Sequence, residues 1–316
     1  MLRWLNQVPK AEARAALISM AAGIFLLAIK SVAYFITGSS VIFADALEST
    51  VNVAAAVFAT YALVLAHRPA DEDHPYGHGK VEFFSAAVEG SMILIAAAGA
   101  AVMAIATLIR GAPIQSEKLG IGVSIMTFAL IINALAGLHL IRVGRKASSL
   151  TLEADGRHLM SDAVTTAVAL AGLLTVKLTK LPIADPLAAI AVSLYIGSTG
   201  IRLLRQSAAG LMDEQDTADA AALRRILDSH IGPTASEPHI CSYHKLRHRH
   251  TGRYHWVEFH IMVPGWWPVQ RGHDVASTIE FEIENALGEG NATAHIEPCA
   301  GQDCPNCAAE RPGITA

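Results

Sequence analysis

Charge, aromatic rings and cysteine are all scarce in this chain. Only 16% of its 316 residues are Asp, Glu, Lys or Arg, and 6% are Phe, Trp or Tyr. The formal charge is -4 and no dense Lys/Arg block occurs, so nucleic acid is not an expected partner. Few aromatics also leave little surface for base stacking. The four cysteines, Cys241, Cys299, Cys304 and Cys307, all lie in the last quarter. That placement does not read as a secreted disulfide framework and suits a reducing compartment. No H-E-x-x-H run is present, which removes the zinc-protease motif. No small-residue cleavage pattern follows the first apolar run, so no removable signal peptide is expected.

What is abundant is apolar surface: 52% of residues are hydrophobic and the mean hydropathy is +0.38. A soluble core of this size does not normally hide so much, and a bilayer is the expected solvent. Six runs are long enough to cross about 30 Å of hydrocarbon as helices. They are Ala15 to Ile36, Val41 to Ala66, Phe84 to Ile109, Leu119 to Ile141, Leu159 to Thr179 and Ile183 to Leu204. An even number of spans puts both termini on one side. Arg3, Lys10, Arg14, Arg68, Lys80, Arg142, Arg145, Lys146, Arg157, Arg202 and Arg205 fall on that side, against Arg110, Lys118, Lys177 and Lys180 opposite. The positive-inside rule therefore predicts an integral membrane protein with both termini in the cytoplasm.

After Gln206 the composition turns polar. Ala218 to Ile231 predicts an amphipathic helix, and two runs flanking His-Thr-Gly predict a hairpin. Val257, Phe259, Ile261 and Val263 alternate with polar residues in its second strand. His273 to Leu287 predicts another helix, and NATAHIEP a last strand. The expected architecture is an all-α six-helix transmembrane bundle over 1–206, then a small cytoplasmic α+β domain of order αββαβ, metallochaperone-like, over 207–300. Residues 301–316 read as a disordered, Cys-containing tail.

Ionisable groups inside an apolar helix are expensive and point to function. The second run carries Asp45, Glu48 and Asn52, and the fifth carries Asp155, His158 and Asp162. Glu48 and Asn52 are four residues apart, as are His158 and Asp162, so each pair shares a helical face. Two such helices side by side present four ligands to one ion. Lys30, Glu89, Asn133, His139 and Asp185 stand alone in their runs and read as interhelical pairing groups.

The loop H-R-P-A-D-E-D-H-P-Y-G-H-G-K-V-E, with S-V-I-F-A-D-A-L-E-S before it and H-L-M-S-D in the fifth run, resembles the cation diffusion facilitator family over nearly the whole chain. The resemblance implies a transport site at Glu48, Asn52, His158 and Asp162, with Asp45 and Ser49 as alternatives to Asn52. His158 and Asp162 fit the family's His-x3-Asp pattern. Zinc members usually place Asp or His, then Asp, where this chain has Glu48 and Asn52, and the neutral amide in place of a carboxylate leaves a harder, oxygen-rich site open to several metals. The resemblance also implies a loop metal site at Asp71, His74 and His78, where Pro75 and Gly77 argue against a helix. It implies a cytoplasmic-domain site at His244, His260, His295 and Glu297, with His273 close by. His230, His239, His248, His250 and His255 lie in the same stretch of sequence. Cys299, Cys304 and Cys307 form C-x4-C-x2-C, half a zinc-site spacing that fits either metal capture or a plain thiol tail.

The expected activity is efflux of a divalent transition metal, among zinc, iron(II), manganese, cobalt and cadmium, in exchange for protons. No enzyme and no catalytic cofactor are expected; metal ions are substrate and regulatory ligands, and the partners are protons, the bilayer and a second copy in a homodimer. The alternative is a non-transporting membrane metal sensor that signals through the tail domain.

Overall fold

A computed structural model describes residues 8–37, 40–110, 119–179, 184–232, 238–299 and 304–306. Some side chains inside the helices, those of Asp45, Glu48 and Asp185 among them, lie outside the description. The chain divides into two compact units, Met1–Leu211 and Met212–Ala316.

The first unit consists of α1 (Lys10–Thr37), α2 (Ser40–Ala66), α3 (Val81–Arg110), α4 (Leu119–Lys146), α5 (Leu150–Thr179) and α6 (Ala184–Leu211). Helix α6 runs past Gln206, so the expected boundary moves to Leu211: Ser207 is fully buried and its hydroxyl donates to the Phe83 carbonyl at 2.6 Å, which keeps that turn in the bundle. At 1.5 Å per residue, helices of 27–30 residues exceed the hydrocarbon thickness. Ile95, Val102, Met103, Ile109, Leu135 and Leu194 are exposed, an apolar exterior suited to lipid.

Among the described residues, three stretches are apolar enough to span a membrane by themselves: Lys10–Val32, Val81–Ala106 and Ser124–Lys146. Helix α5 differs because Glu153, Asp155, Arg157 and Asp162 crowd its first half. That half is shielded by neighbours: Leu152, Ala154, Asp155, His158 and Leu159 are buried. Close approach of α4 to α5 depends on glycine. A Cβ on Gly156 would sit 2.8 Å from the Gly137 carbonyl oxygen and 2.8 Å from Ile141 N, so only hydrogen fits there. Glu82, the last residue of the loop motif, fixes where α5 begins. It accepts from the Ser149 hydroxyl at 2.6 Å and from the Thr151 N–H at 3.3 Å, satisfying a donor at the helix start.

The second unit contains α7 (Thr217–Ser229), β1 (Ser242–Thr251), β2 (Tyr254–Pro264), α8 (Val269–Leu287) and β3 (Gly290–Cys299). The sheet order is β1-β2-β3; β1 and β2 pair antiparallel, while β3 returns parallel to β2 through α8. The αββαβ expectation is met. Leu223 and Leu227 of α7 and Val275, Ile279 and Ile283 of α8 pack on Val257, Phe259 and Ile261, making the core on one face of the sheet. The opposite face is left to polar side chains, as period-two alternation requires.

Candidate functional site

Helices α2 and α5 meet through the side chains their spacing selects. Asn52 Nδ2 donates to Asp162 Oδ2 at 2.8 Å, and His158 Nε2 donates to Asn52 Oδ1 at 3.1 Å. His158 Nε2 and Asp162 Oδ2 are 3.9 Å apart. Three of the four expected transport residues thus converge. Glu48 lies one turn before Asn52 on α2, but its side chain is outside the described residues, as is that of Asp45. Ser49 is buried in the same helix.

A small cavity of about 70 Å³ opens beside these groups, lined by Asn52 and Asp162 and also by Lys30, Asn133, Thr165 and Thr166. Lys30 and Asn133, isolated in sequence, therefore face the same space as the candidate ligands. Glu89 joins them from the other side: fully buried in α3, it places Oε2 3.9 Å from His158 Nδ1. No periodicity within one helix reveals these three groups, because they come from α1, α3 and α4. Their signal was only that each is polar inside an apolar run.

The loop between α2 and α3 assembles Asp71, His74 and His78 without a helix. The Asp71 carboxylate accepts the His74 backbone N–H at 2.7 Å, and Gly77, with φ 77°, turns the chain back. Asp71 Oδ1 then meets His74 Nδ1 at 3.1 Å, and Asp71 Oδ2 lies 3.4 Å from His78 Nε2. The backbone hydrogen bond from His74 is the main reason the Asp71 carboxyl sits below the usual range. An ionised carboxylate flanked by two imidazoles has the donor chemistry to chelate a borderline dication.

On the open face of the sheet, His260 Nδ1 meets Glu297 Oε1 at 2.8 Å and His244 Nε2 lies 3.3 Å from Glu297 Oε2. His295 Nε2 is 3.8 Å from Glu297 Oε1. The His260 hydrogen bond is the first cause of the lowered Glu297 carboxyl. His273 does not join this group: it is exposed on α8, the helix that covers the other face. Its place near the expected site came with the family resemblance, which does not show on which face of this sheet the residue sits.

Cys299 and Cys304 do converge, and Cys241, not counted with them in sequence, completes a trio of cysteine sulfurs within 4.8 Å of one another. The tail is ordered at this point: Cys304 to Asn306 turn back on the domain, and the Asn306 amide donates to the Cys241 carbonyl at 2.8 Å. This corrects the expectation of disorder for those residues. Cys307 lies outside the described residues.

Residues 16–212 match the family model of the cation efflux transmembrane domain, and residues 233–299 match that of the cation efflux protein cytoplasmic domain. The chain belongs to the cation efflux, or cation diffusion facilitator, family. An uncharacterized transporter of Synechocystis sp. is 37% identical over 283 residues, covering 90% of this chain and 89% of that protein. The cation-efflux pump FieF of Salmonella arizonae is 28% identical over 287 residues, covering 91% and 93%. FieF of Salmonella newport has the same identity and coverage. Membership makes this an integral membrane transporter rather than an enzyme. The family's transmembrane model spans all of α2 and α5, so the Asn52, His158 and Asp162 convergence lies inside the transport domain.

Proposed function

We propose that the protein exports divalent transition-metal ions from the cytoplasm in exchange for protons, through a site formed by Glu48, Asn52, His158 and Asp162. The observation that carries this reading is the Asn52 bridge, which ties Asp162 and His158 of α5 to α2 inside the transport domain. An ion entering there takes Asp162 oxygen, Asn52 oxygen and His158 Nε2, and the Nε2 proton must leave. A doubly protonated imidazolium cannot ligate, so loading onto it releases the Nε2 proton while Nδ1–H stays, and a proton arriving from outside at Nε2 expels metal.

Exporting one dication for one proton carries a net positive charge outward. Against an interior-negative potential that costs about 2.3 kcal/mol per 100 mV, whereas one unit of inward pH gradient supplies about 1.4 kcal/mol. Export at one-to-one exchange therefore depends on a steep metal gradient, and a second proton would relieve it. The donor set of amide, carboxylate and imidazole suits zinc, iron(II), manganese, cobalt and cadmium alike. In this reading the membrane is the bacterial inner membrane, both termini are cytoplasmic, and the transporter works as a homodimer by alternating access. Asp71, His74 and His78 in the loop, His244, His260, His295 and Glu297 on the open sheet face, and the Cys241, Cys299 and Cys304 thiols bind metal in regulatory roles.

Purified protein in liposomes holding a metal-sensitive dye tests the reading. Wild type is expected to carry at least one of the five metals with a counterflow of protons, and Asp162→Ala to lose that flux. Wild-type flux rates in Asp162→Ala would remove the proposed site. Metal binding without flux in the wild type would favour the sensor.

A further inference from the structure

The alternation of β1 is broken once. His244 pairs with His260 and Arg247 with Glu258, so Lys245 and Leu246 together oppose Phe259. Lys245 takes φ 52° at this bulge. One inserted residue reverses the facing of everything after it. His244 accordingly lies on the open face with His260, while His248, opposite Val257, and His250, opposite His255, lie on the face covered by helices. A single His-rich run is split into two groups on opposite sides of the sheet.

The second group meets α7 at its first turn. Asp219 Oδ2 is 3.0 Å from His250 Nε2 and 3.6 Å from His255 Nδ1. The His250 and His255 rings are 4.3 Å apart, and donor atoms of Asp219, His248 and His250 lie within 4.8 Å of one another. His248 is only 5% exposed, and its Nε2 has no hydrogen-bond partner. Its Nδ1 meets the Gln215 amide at 2.9 Å. The contacting Gln215 atom is Nε2, which donates to Nδ1 and leaves the ring proton on the His248 Nε2; ligation at that Nε2 requires the amide to rotate so that its oxygen accepts from Nδ1–H.

We propose that Asp219, His248, His250 and His255 form a further metal site, which takes a divalent transition ion of borderline softness such as zinc through three imidazoles and one carboxylate. Neighbouring ligand atoms in a tetrahedral zinc site are about 3.3 Å apart. The two distances to Asp219 bracket that value, and His248 closes the remainder by a side-chain movement. Imidazole-dominated donors disfavour calcium and magnesium, which require oxygen. Burial, with His250 next, holds His248 and His255 below the usual imidazole range, so both are neutral ligands at pH 7. The half-buried Asp219 carboxylate supplies the anionic ligand to the dication. The ion would tie the first turn of α7 to the end of the β1–β2 hairpin. This site does not depend on the export reading.

The test uses the full-length protein in detergent, in a background carrying Asp162→Ala and His260→Ala to weaken the other sites. Zinc per chain is measured after dialysis against a fixed free zinc concentration. Adding His248→Ala with His250→Ala should remove one zinc per chain, and adding Asp219→Asn alone should weaken that binding step at least about ten-fold, equivalent to about 1.4 kcal/mol. Cobalt(II) in the same background should show a tetrahedral absorption band that either change diminishes. If the double change prevents folding, judged by gel filtration, Asp219→Asn decides. Unchanged zinc content, affinity and cobalt spectrum would overturn the proposal and leave an ordinary His–Asp hydrogen-bonding group.

Discussion

Oε2 of Glu89 on α3 stands 3.9 Å from Nδ1 of His158 on α5, the ring nitrogen opposite the one that faces Asn52 and Asp162. When Nε2 ligates an ion, the imidazole carries its proton on Nδ1, and a small side-chain movement lets that proton bond the Glu89 carboxylate. A carboxylate behind a ligating histidine fixes the tautomer and strengthens the ligand. Glu89→Gln should therefore keep the fold yet weaken metal binding about 10- to 100-fold, the usual range for such outer partners. Metal titration of the purified variant measures this; wild-type affinity would show that Glu89 only fills space.

Asn52→Asp probes the chemistry of the amide. Asn52 now donates to Asp162 Oδ2 at 2.8 Å; an aspartate would oppose carboxylate to carboxylate there. Without metal the two repel or share a proton, and with metal they add one more anionic ligand. The variant should bind zinc about ten-fold or more tightly at neutral pH and lose that binding more steeply on acidification, because protons now compete at a second carboxylate. Isothermal titration at several pH values reads both effects, and parallel pH curves for the two proteins would contradict the role given to the amide.

Both of those relationships bear on what can be read from a chain alone. The i, i+4 pair His158 and Asp162 was legible because one helix brings them together, and Asn52 followed from the same rule on α2. Glu89 and Lys30 were not, since their proximity depends on how three helices pack, which hydropathy does not encode. Likewise the αββαβ order follows from periodicity, but the bulge at Lys245 reverses the phase of β1. Strict alternation would have left His244, His248 and His250 on one face. Cys241 was missed for a related reason: its approach to Cys299 and Cys304 rests on the chain turning back after β3.

Gly156 lies two residues before His158 and touches α4 at backbone distance. Gly156→Ala forces a Cβ to within 2.8 Å of the Gly137 oxygen, so α5 must shift or rotate away from α4. Overpacking of this kind costs about 1–3 kcal/mol, and the displacement is passed directly to His158 and Asp162. Metal flux in liposomes should fall sharply although the protein still inserts and purifies. Gly99→Ala is the control, because a Cβ at Gly99 meets nothing within 4 Å. Equal flux in the two variants would separate the α4–α5 contact from transport.

Asp216 caps α7, accepting the Ala218 N–H at 2.7 Å and the Asp219 N–H at 3.1 Å. These backbone bonds, the one from Asp219 first, hold its carboxyl below the usual range. A lowered carboxyl in the folded state stabilises above the ordinary carboxylate range and loses that contribution as pH falls through the lowered value. Asp216→Ala should destabilise the second unit by about 1 kcal/mol near neutrality, with the difference from wild type shrinking in acid. Asp216→Asn retains a capping oxygen that does not titrate, so it should match wild type near neutrality more closely and show a flatter acid limb. Denaturant unfolding in chelator-treated buffer, followed by tryptophan fluorescence in a Trp4→Phe background where Trp256, Trp266 and Trp267 are the remaining tryptophans, reports on this unit. An Asp216→Asn acid limb as steep as the wild type's would assign the titration to another carboxylate.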